Sequence, residues 1–209
     1  MTKDVLFVVH GMGVFEDGWE KPIRAKLEQV AGRYTRFAED PTKLWDQLEL
    51  VPVGYDDSFR KTLKDWKESG KVLDFVKGQQ LVGAPDLSWL EPLAEQDPEF
   101  FWTHVADVVI YRYFRLHRAA LRVHVARQIV EHVTESTGGA FDRCTVLAHS
   151  LGTAVVHDSL HVLETKPLGG KPTAFHPLNA RFRSLFMLAN VSHILEDDIR
   201  AYRSLVRGG

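Results

Sequence analysis

Ser150 lies in the run Thr145-Val146-Leu147-Ala148-His149-Ser150-Leu151-Gly152-Thr153-Ala154. An apolar strand candidate enters it and a helix candidate leaves it, with the serine at the apex of the turn. A serine placed there sits in a strained backbone conformation that lifts its hydroxyl clear of a sheet. The residues two before and two after it, Ala148 and Gly152, are small, as a close strand–helix crossing requires. Leu151 opens the helix, and the helix N-terminus favours negative charge beside the serine. This is the pattern of a nucleophile elbow, with alanine in place of the first glycine. The blander reading is that Ser150 only caps a helix.

A second chemical signal is His10-Gly11-Met12-Gly13, directly after the apolar run Val5–Val9. Glycines at 11 and 13 let the main chain approach a ligand closely. A dinucleotide fingerprint would need a third glycine at position 16, where Glu16 stands, and the Gly-Lys-Ser/Thr of a phosphate-cradling loop is absent. His157-Asp158-Ser159-Leu160-His161 places two histidines on one helix face, as a zinc-protease helix does. Asp158 stands where the catalytic glutamate would, and no third ligand is evident, so neither a metal nor another cofactor is expected. Arg112, Arg115, Arg118 and Arg122 fall within about a 120° arc of one helix candidate. They could grip an anion. A solvated face, or ion pairs with an acidic insertion, is the plainer expectation.

These residues need a scaffold. Val5–Val9 is a continuous β-branched and aromatic run, suited to a strand buried on both faces of a parallel sheet. The spacing predicts a helix over Trp19–Arg36, a strand over Leu48–Val53 and a long helix over Arg112–Glu135. On that helix Phe114, Leu121 and Val125 share one face, with Leu116 and Val123 nearly opposite. A strand over Cys144–Ala148, a helix over Leu151–Leu163, a Gly/Pro-rich loop over Lys166–Pro177, a strand over Ser184–Ala189 and a helix over Glu196–Val206 complete the pattern. Residues 58–105 break the strand–helix alternation and read as an inserted, mainly helical cap. The alternation implies an α/β fold with a mainly parallel sheet of four main strands, Val5–Val9 and Thr145–Ala148 adjacent at its centre.

The two motifs together resemble the α/β-hydrolase superfamily, in particular its lipase and esterase branch, over residues 5–57 and 112–190. The resemblance implies a three-layer sandwich forming a single domain, with 58–105 inserted, and a serine esterase or lipase-like hydrolase. It implies Ser150 as nucleophile and Met12 and Leu151 N–H as oxyanion-hole donors, with His10, Gly11 and His149 lining the substrate. In that family the acid and then the histidine of the triad follow the nucleophile. The last two strands of the family are not recognisable here. His193, just past the strand from Ser184, is the in-chain candidate for the base, and the chain reads as a shortened homologue or a fragment. A non-catalytic binding module or an acyltransferase using the same serine are the alternatives. The strand from Ser184 is expected at a sheet edge, covered by the Glu196–Val206 helix, a second copy or a missing C-terminal segment.

Composition sets outer bounds. The chain has 209 residues, 44% hydrophobic and 26% charged, as a globular protein of ordinary size does. With 26 basic and 28 acidic residues the formal charge is −2, which removes the general electrostatic case for nucleic acid. No stretch is long and apolar enough to span a membrane. The single cysteine, Cys144, cannot form an internal disulfide and points to a reducing, cytoplasmic setting. The expected substrate is a small ester or lipid-like molecule.

Overall fold

The computed structural model describes residues 2–13, 15–55, 60, 64, 68, 92, 95–165 and 181–195. Strand β1 (Asp4–Val9) leads to helix α1 (Lys21–Ala31), and β2 (Leu48–Val53) follows. After the insertion come α2 (Ala106–Tyr113), α3 (Arg115–Thr137), β3 (Cys144–His149), α4 (Leu151–Thr165), β4 (Ser184–Leu188) and the short α5 (Ser192–Leu195). The four strands form one sheet in the order β2-β1-β3-β4, and every neighbouring pair is parallel. The expected α/β class, the four strands and the central pair are all present.

The apolar run of β1 explains its place. Val5 to Val9 are buried on both faces, which only an interior strand allows. Val5, Phe7 and Val9 join Val146 and Ala148 of β3 in a large core with α2, α3 and α4. Leu6 and Val8 join Leu50 of β2 in a smaller one, packed against Trp19, Ile23 and Leu27 from α1 and its approach. Helices therefore cover both faces. Pro52 is tolerated because β2 is an edge strand, where a missing N–H breaks no second ladder.

Several boundaries differ from expectation for physical reasons. Pro22 sets the first turn of α1, and Gly32 closes the helix, so Trp19, Glu20 and Arg33–Arg36 fall outside it. The long helix expected over Arg112–Glu135 is two helices. Phe114, with φ −92° and ψ 80°, breaks the run while its ring, 2% exposed, enters the core. At the other end Gly138, at φ 64°, gives α3 its left-handed cap. Leu121 and Val125 are buried, as their shared face requires, whereas Leu116 is 86% exposed. Cys144 is fully buried, and burial, then the charges of Asp142 and Asp4, push its thiol up to about 12.

β4 is the outer strand among the described residues. Most of the expected insertion, the Lys166–Pro177 loop and the Glu196–Val206 helix lie outside the described residues. No helix among the described residues is long and apolar enough to cross a membrane.

Candidate active site

The chain leaves β1 toward one neighbour, β2, and leaves β3 toward the other, β4. The C-terminal ends of β1 and β3 therefore flank the point where the winding of the sheet reverses, where open α/β sheets bind ligands. Val9 pairs with Ala148, so His10-Gly11 and His149-Ser150 emerge side by side. The two sequence motifs meet at this crevice.

Ser150 has φ 51°, the left-handed region that a non-glycine residue rarely occupies. Its amide donates to Leu188 O at 2.9 Å, anchoring the turn to the end of β4. Its carbonyl accepts from Thr153 N at 2.9 Å and Thr153 Oγ1 at 2.6 Å. Thr153 Oγ1 also accepts from Val191 N at 3.1 Å. One hydroxyl thus ties the elbow to the segment after β4. The residue is only 8% exposed, and among the described residues none hydrogen-bonds its hydroxyl.

Small residues are needed at this crossing, and the distances show why. A Cβ at Gly152 would lie 2.2 Å from His10 O, a backbone atom with nowhere to go. A Cβ at Gly11 would lie 3.0 Å from both Ser150 Cβ and His149 Nδ1. Ala148 is fully buried in the large core. Gly13 has φ 114°, a conformation reserved for glycine.

The His10–Gly13 loop is held from several sides. The single proton of the buried Tyr55 hydroxyl is shared between His10 O at 2.9 Å and Gly11 O at 2.7 Å. His10 Nδ1 lies 3.0 Å from Gly11 O. A carbonyl can only accept, so Nδ1 carries the proton in that contact. The imidazole stacks between Phe15 (4.2 Å) and Tyr55 (4.3 Å), with Trp19 edge-on. Gly13 N donates to the buried carboxylate of Asp107 at 3.0 Å. Arg60 donates to Phe15 O at 3.0 Å. Tyr55, Arg60 and Asp107 belong to the described flanks of the insertion, so both flanks reach the loop.

Of the residues singled out from sequence, His10, Gly11, His149 and Ser150 come together at the crevice. Met12 is part-buried on the same loop, and Leu151 is the fully buried first residue of α4. His193 is the second residue of α5, two positions after the Val191 amide held by Thr153; its side chain lies outside the described residues. Sequence reasoning missed Tyr55, Asp107 and Thr153. Thr153 alone had a local signal, its place in the turn after the serine.

Two arginines of the arc, Arg118 and Arg122, have a partner within the α/β body. Asp158 on α4 accepts from Arg118 Nε at 2.9 Å, Arg122 Nε at 3.0 Å and the Tyr111 hydroxyl. Arg118 and Asp158 are buried, and the pair closes to 2.8 Å. Arg118 and Arg122 thus pair with Asp158 inside the α/β body; the insertion, the other expected partner, lies mostly outside the described residues. Burial, then the negative charge of Asp158, raises the Tyr111 phenol well above its ordinary value. Asp158, between the two histidines that liken this stretch to a zinc helix, is thereby the acceptor of a packing network. Among the described residues no group of three metal-ligating side chains converges.

No family model, curated protein or solved structure matches this chain.

Proposed function

We propose that the chain is a serine hydrolase of the α/β-hydrolase kind, acting on carboxylic esters. The observation that carries this reading is Ser150 at φ 51° on the strand–helix turn beside the reversal point of the sheet. A strained turn costs about 1–3 kcal/mol and persists where the surroundings over-determine it. Here Leu188 O, Thr153 and the close approach of Gly152 to His10 do so.

In this reading the Ser150 Oγ attacks the ester carbonyl carbon while a base takes its proton. The carbonyl oxygen becomes an oxyanion and receives hydrogen bonds from Met12 N–H and Leu151 N–H. On collapse the protonated base gives its proton to the leaving alcohol, and an acyl-serine remains; the base then takes a proton from the attacking water and returns it to Ser150 Oγ as the acid is released. His10, Gly11 and His149 line the entry. The base is assigned to a histidine, with His193 the candidate because Thr153 draws its segment to the elbow.

A second reading is a binding module with the same architecture.

The test is covalent. A fluorophosphonate probe should label the 209-residue protein at Ser150, as located by peptide mass mapping. Ser150→Ala should lose both the label and the release of p-nitrophenol from short p-nitrophenyl esters. It should keep its stability within about 1 kcal/mol, since no packing is lost. Labelling that survives in Ser150→Ala refutes the mechanism. An unlabelled wild-type chain selects the binding module.

A further inference from the structure

The peptide between Gly11 and Met12 is trans, as are all described peptide bonds. In a planar trans peptide the C=O and the N–H point in opposite directions. Gly11 O is drawn toward the Tyr55 hydroxyl at 2.7 Å and toward His10 Nδ1 at 3.0 Å. The Met12 N–H therefore projects from the opposite edge of that plane, and its direction is set by the grip on Gly11 O. Two donors on the carbonyl also polarise the peptide, which makes its N–H a stronger donor. The next amide along, Gly13 N–H, is committed to Asp107. Met12 is thus the loop amide that the clamp both aims and sharpens.

We propose that Tyr55 is a positioning residue for oxyanion stabilisation, acting through the Gly11–Met12 peptide. This rests on the hydrolase reading above, in which Met12 N–H is an oxyanion donor. Tyr55 touches neither substrate nor Ser150 in this role. Its hydroxyl fixes a donor that is useful only when negative charge develops on the substrate oxygen, so its effect falls on the chemical step.

The variant that isolates the hydroxyl is Tyr55→Phe, which keeps the ring stacked on His10. Fluorophosphonate labelling of Ser150 should slow about tenfold or more in the maximal inactivation rate, with the half-saturating probe concentration within about twofold. Loss of one oxyanion donor outright costs about 10²–10³-fold, and misdirecting one costs less. The Met12 amide proton should move upfield in the NMR spectrum as its carbonyl loses a donor. Tyr55→Leu separates the hydroxyl from packing: a hydroxyl role slows both variants alike, whereas a packing role spares Tyr55→Phe and damages Tyr55→Leu. The proposal is overturned if Tyr55→Phe labels at the wild-type rate while Ser150 remains the labelled residue. It is overturned too if only the half-saturating concentration changes. If wild-type Ser150 takes no label, the hydrolase reading falls and the proposal falls with it. That outcome is recognised by the wild-type lane alone.

Discussion

Helix α4 carries two sets of polar residues, and they are built on opposite plans. The turn that leads into it holds Ser150 in a left-handed conformation, with the backbone bonded to Leu188 and Thr153 and the hydroxyl left to the crevice. Two turns on, Asp158 is buried and accepts from two arginines and a tyrosine. In the first set the main chain is fixed so that a side chain can react. In the second the side chains bond to one another so that charge can be buried. The difference lies in what is offered: a hydroxyl at the reversal point of the sheet in one case, a buried ion-paired carboxylate in the other.

If that contrast is right, mutations in the two turns separate stability from reactivity. The largest stability effect should come from Asp158→Ala, which removes the buried carboxylate that Arg118, at 8% side-chain exposure, donates to. Removing one partner of a buried pair costs about 3–5 kcal/mol. The melting temperature should fall on the order of 10 °C for a chain of this size. Below that temperature Ser150 should still take the fluorophosphonate at close to the wild-type rate. A variant that melts normally would show the network to be ornamental to the core, and one that folds but does not label would tie it to the site.

Gly152→Ala should act the other way. The added methyl meets His10 O at 2.2 Å, so α4 and the His10–Gly13 loop must part. Overpacking costs about 1–3 kcal/mol. The label on Ser150 should be lost out of proportion to that modest destabilisation. Labelling that tracks stability alone would erase the distinction between the turns.

The smallest effect is a pH dependence confined to the network. Burial raises the Tyr111 phenol well above its ordinary value of 10, so the folded state holds its proton where the unfolded state loses it. Stability contributed by that proton is whole below about pH 10 and declines as the pH climbs from there toward the folded value. Urea midpoints between pH 9 and 11 should fall more steeply for the wild type than for Tyr111→Phe. Parallel slopes would remove Tyr111 from the alkaline response.

Much of the frame was readable because local pattern and tertiary environment agree. Val5–Val9 is apolar without alternation, and only a central strand buries both faces. Leu48–Val53 and its closing Gly54 gave the bounds of β2 directly. The break at Phe114 was hidden because no proline or glycine marks it; the ring turns inward because the core accepts it. At the site, Ser150, Gly11 and Gly152 were legible because a close crossing restricts residue size in consecutive positions. Tyr55 and Asp107 were not, since they reach the loop from 44 and 94 positions away and nothing beside them in sequence announces the contact. Asp158 was visible but misleading. Its neighbours His157 and His161 suggest a metal helix, and its arginine partners lie 40 and 36 residues earlier.

Cys144 has a practical consequence for chemistry aimed at the crevice. The chain holds one thiol. It is fully buried on β3 and kept protonated by a value near 12. Thiolate is the nucleophilic form, so at neutral pH the folded protein offers almost none. Electrophiles that ordinarily partition between cysteine and activated serine meet no competing sulfur here while the fold is intact. A chloromethyl ketone or β-lactone warhead can therefore be screened against the native chain without a cysteine-free background. The sudden appearance of a sulfur adduct would report unfolding rather than poor selectivity.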